Sequence, residues 1–206
     1  MNPATLSLFI LTFAMVSLTP GMCMTLSLSL GLTIGVRRTL WMMVGELVGV
    51  GLVAGAAGLG AAAVMLNTPA LFLLLKLGGG AYLGWLGVQL WCSKGRLAID
   101  PNLAATPHMS RLQLATQGFT TAVANPKGWA FFVALLPPFI DQSRPVAPQL
   151  VLLLGMILVI EFASLLLYAT SGRMLGRGLL AGGRVRLINR LAGVLMAGVG
   201  LWLALE

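Results

Sequence analysis

Charge is what this sequence has least of: 13 Lys and Arg and five Asp and Glu are spread over 206 residues, and none lies between Met1 and Val36. Soluble domains carry about a quarter of their residues charged. The 9% found here excludes a water-solvated globule. Histidine is reduced to His108, in a polar connection, and a lone imidazole builds neither a His-based metal centre nor a catalytic base with its partners. Two cysteines, Cys23 within one apolar run and Cys92 at the end of another, are too few for a disulfide framework. No Ser-His-Asp or Cys-x-x-Cys arrangement can be read, which argues against an enzyme. The formal charge of +8 comes without a nucleic-acid-binding module or aromatic residues among the basic ones, so nucleic acid is not an expected partner.

What is present is apolar. Hydrophobic residues make up 58% of the chain and the mean hydropathy is +0.96, values of an all-α integral membrane protein. Six stretches, near 4–30, 39–65, 69–92, 117–139, 147–171 and 187–205, reach the roughly 20 residues that a helix needs to cross the bilayer. The first has no basic residue before it and is too long for a signal-peptide core, so it is expected to remain in the mature protein. The polar segment 93–116 divides the spans into two groups of three. The predicted architecture is a single transmembrane domain with a first half at 1–92, a cytoplasmic linker at 93–116 and a second half at 117–206. An odd number of spans per half makes this a 3+3 inverted repeat.

The basic residues mark sidedness. Arg37, Arg38, Lys94, Arg96, Arg111, Arg173, Arg177, Arg184, Arg186 and Arg190 fall in or beside the first, third and fifth connections, whereas the second and fourth hold only Arg144. Short basic loops stay in the cytoplasm, which predicts a multi-pass protein with both termini outside.

Proline and glycine interrupt two equivalent spans. Pro20-Gly21 falls in the first helix of half one and Asn125-Pro126-Lys127-Gly128 in the first helix of half two. Proline removes a backbone donor and clashes with the preceding turn, so in lipid such a break survives only against protein, water or a ligand. A single break could be a simple kink; matched breaks at corresponding positions are the pattern of transporter binding sites. Ionisable residues lie at similar depth: Glu46 and Glu161 in the second span of each half, Lys127 directly after Pro126, and Lys76 in the third span. Buried charge in a membrane costs at least about 2.5–3.5 kcal/mol and usually marks an ion or substrate path. A structural Glu–Lys bridge is the alternative, and the Lys76 stem is long enough to snorkel.

The motifs LTPG at 18–21, Gly31–Gly35–Arg37, LKLGGGAYLGWLGVQLW at 75–91 and GFTTAVANPKGWAFFVALLPPFID at 118–141 resemble the RhtB/LysE family of bacterial amino-acid exporters across essentially the whole chain. Where that family has Pro-Gly-Pro, this chain has Pro20-Gly21-Met22. The resemblance implies a proton-coupled exporter of amino acids or related small metabolites in the bacterial cytoplasmic (inner) membrane, with no cofactor. An amino acid offers a carboxylate and an ammonium. Pro20, Gly21, Asn125, Pro126 and Lys127 are expected to bind the carboxylate through freed backbone donors and the lysine charge. Glu46 is expected to meet the ammonium, and Glu161 or Glu46 to exchange the proton. Met22-Cys23-Met24 supports an alternative, a metal-ion exporter of the same superfamily, if the segment is unwound so that soft sulfur ligands converge. The pairs Gly45/Gly49, Gly51/Gly55 and Gly80/Gly84 are packing motifs that would also suit a homodimer. They are not phosphate loops, because no strand precedes them and no Lys-Ser/Thr follows.

Overall fold

A computed structural model describes residues 3–92, 109–141 and 143–179, with 190, 191, 193, 194, 197, 198, 200, 201 and 205 beyond them. Regular structure among the described residues is entirely helical. Helix α1 runs Pro3–Ser17 and α2 runs Met22–Thr33. Their axes bend by 60° at the intervening break, the geometry of a broken span or of a re-entrant loop. Helix α3 (Val36–Asn67) follows after Gly35, whose φ of +81° places it in the left-handed region. Helix α4 covers Pro69–Cys92, α5 Arg111–Val123, α6 Pro126–Leu135 and α7 Val146–Leu179. Val36–Ala61 and Val146–Ser171 are each 26 residues long and apolar enough to cross a bilayer. The described residues from Arg190 onward are also helical.

Local chemistry sets these boundaries. Ser110 accepts a hydrogen bond from Gln113 N at 3.2 Å while its own N–H donates to Gln113 Oε1 at 2.7 Å, a capping box that opens α5. The helix therefore starts at Arg111, inside the segment 93–116 expected to be a polar linker; 93–108, with His108, lies outside the described residues. Asn125 caps α6 through Oδ1, which accepts from Lys127 N at 3.1 Å, and Pro126 occupies the first helical position, where no N–H is needed. Pro137 and Pro138 then tighten the chain into a 3₁₀ turn over Pro137–Phe139. At the following turn, Asp141 accepts from the Ser143 hydroxyl at 2.6 Å and its N–H at 3.0 Å, and these bonds hold the carboxyl below its ordinary range.

Helices meet where side chains are small. A Cβ on Gly45 would run into the Ala115 backbone, one on Gly118 into the Met42 carbonyl, and one on Gly49 within 2.8 Å of the Ala122 Cβ, so α3 and α5 touch backbone to backbone. Gly31 sits against the Ala169 backbone, and the Ser27 hydroxyl donates to the Leu165 carbonyl at 2.8 Å, joining α2 to α7. Gly80 and Gly84 of α4 are approached by Gly200, while Gly51 and Gly55 face Leu158 and Leu154 of α7. Gly45 and Gly49 are thus used for packing within the chain.

Basic residues join neighbouring connections in two pairs. Arg38 Nη2 donates to the Met109 carbonyl at 2.6 Å, and the Arg111 guanidinium lies 5.1 Å from the Trp41 ring centre, tying the first connection to the third. Arg190 stacks 5.4 Å from the Trp91 ring centre, tying the fifth to the third.

Glycine substitutions separate contact from propensity. Gly118→Ala should destabilise the protein by about 1–3 kcal/mol through overpacking, and Gly35→Ala by about 1 kcal/mol through its backbone conformation. Gly60→Ala, in a helical position with nothing within 4 Å, should stabilise it by up to about 1 kcal/mol. Thermal midpoints of the three variants in detergent test this order; a loss at Gly60 equal to that at Gly118 would refute the packing assignment.

Candidate functional site

The two breaks face each other. Pro20 and the bend after it leave the carbonyls at the end of α1 without helical donors. Thr19 N–H still donates to the Val16 carbonyl at 3.1 Å, and side chains supply further donors: Thr19 Oγ1 donates to the Met15 carbonyl at 3.0 Å, and Tyr168 OH donates to that of Leu18 at 2.8 Å. Lys127 Nζ donates to the carbonyls of Val16 at 3.0 Å and Thr19 at 3.1 Å. The lysine that follows the second break therefore closes the first. A Cβ on Gly21 would stand 3.5 Å from Lys127 Nζ, in ordinary contact, so the ammonium rests directly over the Pro20-Gly21 turn. Asn125 also reaches across, its Nδ2 3.7 Å from Cys23 Sγ.

A cavity of about 50 Å³ lies between the breaks. Ser17, Gly21, Asn125, Lys127 and Glu161 provide its polar wall, and Phe13, Phe131 and Phe132 its aromatic end, with ring centres 5.6–6.1 Å apart. Glu161 is 9% exposed and its Oε2 accepts from Ser17 Oγ at 2.5 Å. Glu46 is fully buried, and neither of its carboxyl oxygens has a hydrogen-bond partner. It lies on the face of α3 that carries Val50 and Val53, two further cavity residues at helical spacing, and it neighbours Glu161 and the Cys23 thiol. Lys127 and Glu161 share the cavity, but ion pairing among the described residues is confined to Arg144–Asp141. The structural Glu–Lys bridge considered from sequence is not formed there.

Of the residues singled out in the sequence, Gly21, Asn125, Lys127 and Glu161 line one cavity. Pro20 and Pro126 create the breaks beside it, and Glu46 stands behind Cys23. Lys76 lies in α4, and its side chain falls outside the described residues. Met22, Cys23 and Met24 form the first turn of a regular helix. Their side chains diverge by about 100° from one to the next; Met22 is 42% exposed while Cys23 and Met24 are buried. The unwinding that a sulfur metal site required is not seen.

Two participants were not anticipated. Ser17 is a small polar residue less than one turn before Pro20, and Tyr168 lies seven residues after Glu161 on the same face of α7. Proximity to a break, and helical register with an acid, would have flagged both.

Comparison with known proteins agrees with this architecture. Residues 14–206 match the family described as LysE type translocator. An uncharacterized membrane protein of Vibrio cholerae is 32% identical, over 95% of this chain and 94% of that protein. A homoserine/homoserine lactone efflux protein of Salmonella typhimurium is 29% identical over 95% and 94% of the two chains, and a threonine efflux protein of Salmonella typhi is 26% identical over 74% of each. No solved structure matches. With a family match over nearly its whole length and helices long and apolar enough to cross a bilayer, the chain is a multi-pass membrane protein that belongs to the LysE type translocator family.

Proposed function

We propose that this chain exports small amino acids, or close derivatives of them, across the bacterial cytoplasmic (inner) membrane in exchange for protons. The observation that carries the reading is the meeting of the two breaks, with Lys127 from one bonded to carbonyls of the other and two buried carboxyls beside them. Relatives named for homoserine, homoserine lactone and threonine efflux agree with it. Six transmembrane helices in a 3+3 inverted repeat, each half opening with a broken helix, would bring the breaks together in this way. Pro20, Gly21, Asn125, Pro126, Lys127 and Glu46 make up the substrate site in this reading. Glu161 carries the coupling proton, because it lines the cavity and has the Ser17 hydroxyl as a partner when charged.

Efflux from preloaded vesicles tests the function. Neutral, hydroxylated and basic amino acids are compared with and without a proton gradient; gradient-driven export of at least one neutral amino acid is expected. Glu161→Gln should retain substrate binding and lose its response to the gradient. Normal gradient-driven transport by Glu161→Gln across the pH range would remove Glu161 as the coupling group, and the same result for Glu46→Gln would leave neither acid in that role.

The basic residues of the odd connections, with the first tied to the start of α5 by Arg38 and Arg111, support a cytoplasmic location for those connections, with both termini outside. Single cysteines at positions 2 and 205 should react with an impermeant reagent added to intact cells. Labelling only after permeabilisation would reverse the topology.

A further inference from the structure

The amino-acid reading leaves open which groups hold the two charges of the substrate, and three features of the cavity point to one arrangement. The first is that Lys127, the natural candidate for a carboxylate, already donates to the carbonyls of Val16 and Thr19. Two of its three N–H donors are thereby committed to the fold. The second is the contrast between the two helix starts. The start of α6 is closed by the Asn125 side chain, whereas α2 begins at Gly21 with no side-chain cap, and its first intrahelical donor is Thr25 N. The N–H groups of Met22, Cys23 and Met24 thus face the break without a helical carbonyl to bond. The third is Glu46, fully buried with both oxygens unpartnered, on the cavity face of α3 beside the same turn. A buried acceptor without a donor is costly unless a ligand supplies one.

Resting on that amino-acid reading, we propose that the substrate carboxylate is held by the open first turn of α2 together with Asn125 Nδ2, that its ammonium is held by Glu46, and that Lys127 is a clamp between the breaks and not a carboxylate ligand. Asn125 Nδ2 suits the first role because its contact with Cys23 Sγ at 3.7 Å is weak and readily exchanged for an anionic oxygen. The carboxylate and ammonium of an α-amino acid are two bonds apart, which matches acceptors and donors on either side of Cys23. The substrate side chain then points toward Phe13, Phe131 and Phe132, an end of the cavity with no charged group for an ionised side chain. The substrate class is a compact, uncharged-side-chain α-amino acid, recognised at both its termini.

Matched ligands separate the two contacts. Binding to the purified full chain in detergent is measured for threonine, for threoninamide, which lacks the carboxylate, and for 2,3-dihydroxybutyrate, which lacks the ammonium. Asn125→Asp keeps the oxygen that caps α6 and replaces the donor by an acceptor, so it should weaken threonine about tenfold more than threoninamide. Glu46→Gln should weaken threonine and threoninamide by about the same factor, tenfold or more, and leave dihydroxybutyrate unchanged. Lys127→Met should lower the thermal midpoint of the ligand-free protein and affect threonine and threoninamide alike. Equal loss of threonine and threoninamide in Asn125→Asp overturns the carboxylate assignment. So does a selective loss of threonine in Lys127→Met with the thermal midpoint unchanged. If Asn125→Asp does not fold, Asn125→Ser, which caps the helix and lacks the amide, is read in the same way. Failure of the unmodified chain to export any amino acid would overturn the amino-acid reading itself; export that persists while these ratios do not change overturns only the assignment of contacts.

Discussion

A helix that breaks inside a bilayer has no water to turn to, and every carbonyl it frees must find a donor within the protein. That constraint organises the centre of this molecule. Around Pro20-Gly21 the donors are Thr19, Tyr168 and Lys127, drawn from the break itself, from α7 and from α6. The bonds from Tyr168 and Lys127 join elements far away in sequence to the end of α1. The break is therefore a junction, held at one point by a lysine that belongs to the second interruption. Placing Lys127 there also solves a second problem, since an ammonium in an apolar setting is stabilised by the negative end of the α1 dipole. One interaction thus satisfies a broken backbone and a buried cation together.

Close helix packing is what allows the acids to approach the junction. Glu46 can sit behind Cys23 only because α3 lies backbone to backbone against α5 at Gly45 and Gly118, and α2 against α7 at Gly31. In lipid, such contacts come from shape and dispersion, since the surroundings are as apolar as the side chains. A larger residue at any of these positions would push the helices apart and separate Glu46, Glu161 and Lys127 in the same movement. The packing glycines and the ionisable residues are therefore parts of one design.

Much of this was legible in the sequence because membrane constraints are severe. A 36-residue stretch without charge, a proline inside it, a second Asn-Pro in an equivalent run, and acids where acids are expensive each have few physical explanations. The residues so identified do gather around one cavity. What could not be read was direction. Charge and position make Lys127 visible in the sequence, but its bonds to the Val16 and Thr19 carbonyls arise only once the chain has bent by 60° between α1 and α2. The spacing of the glycine pairs likewise gives a stripe without saying what covers it. The start of α5 at Arg111 was hidden for a similar reason: the Ser110–Gln113 capping box carries the helix into a polar segment that hydropathy assigns to a loop.

The size of the cavity bears on how such a site would operate. A water needs about 10–15 Å³ of comparable volume, whereas ligand pockets commonly occupy about 300–1,000 Å³. At about 50 Å³ the space between the breaks holds a few waters, so admitting an amino acid requires its walls to separate. The wall least able to move is the one carrying Lys127, because withdrawing the ammonium would break its bonds to the Val16 and Thr19 carbonyls. The aromatic end, formed by Phe131 and Phe132 of α6 against Phe13 of α1, is joined by ring contacts, which can slide without leaving a polar group unsatisfied. Expansion at the aromatic end, around a fixed polar clamp, is the movement that disturbs the fewest hydrogen bonds.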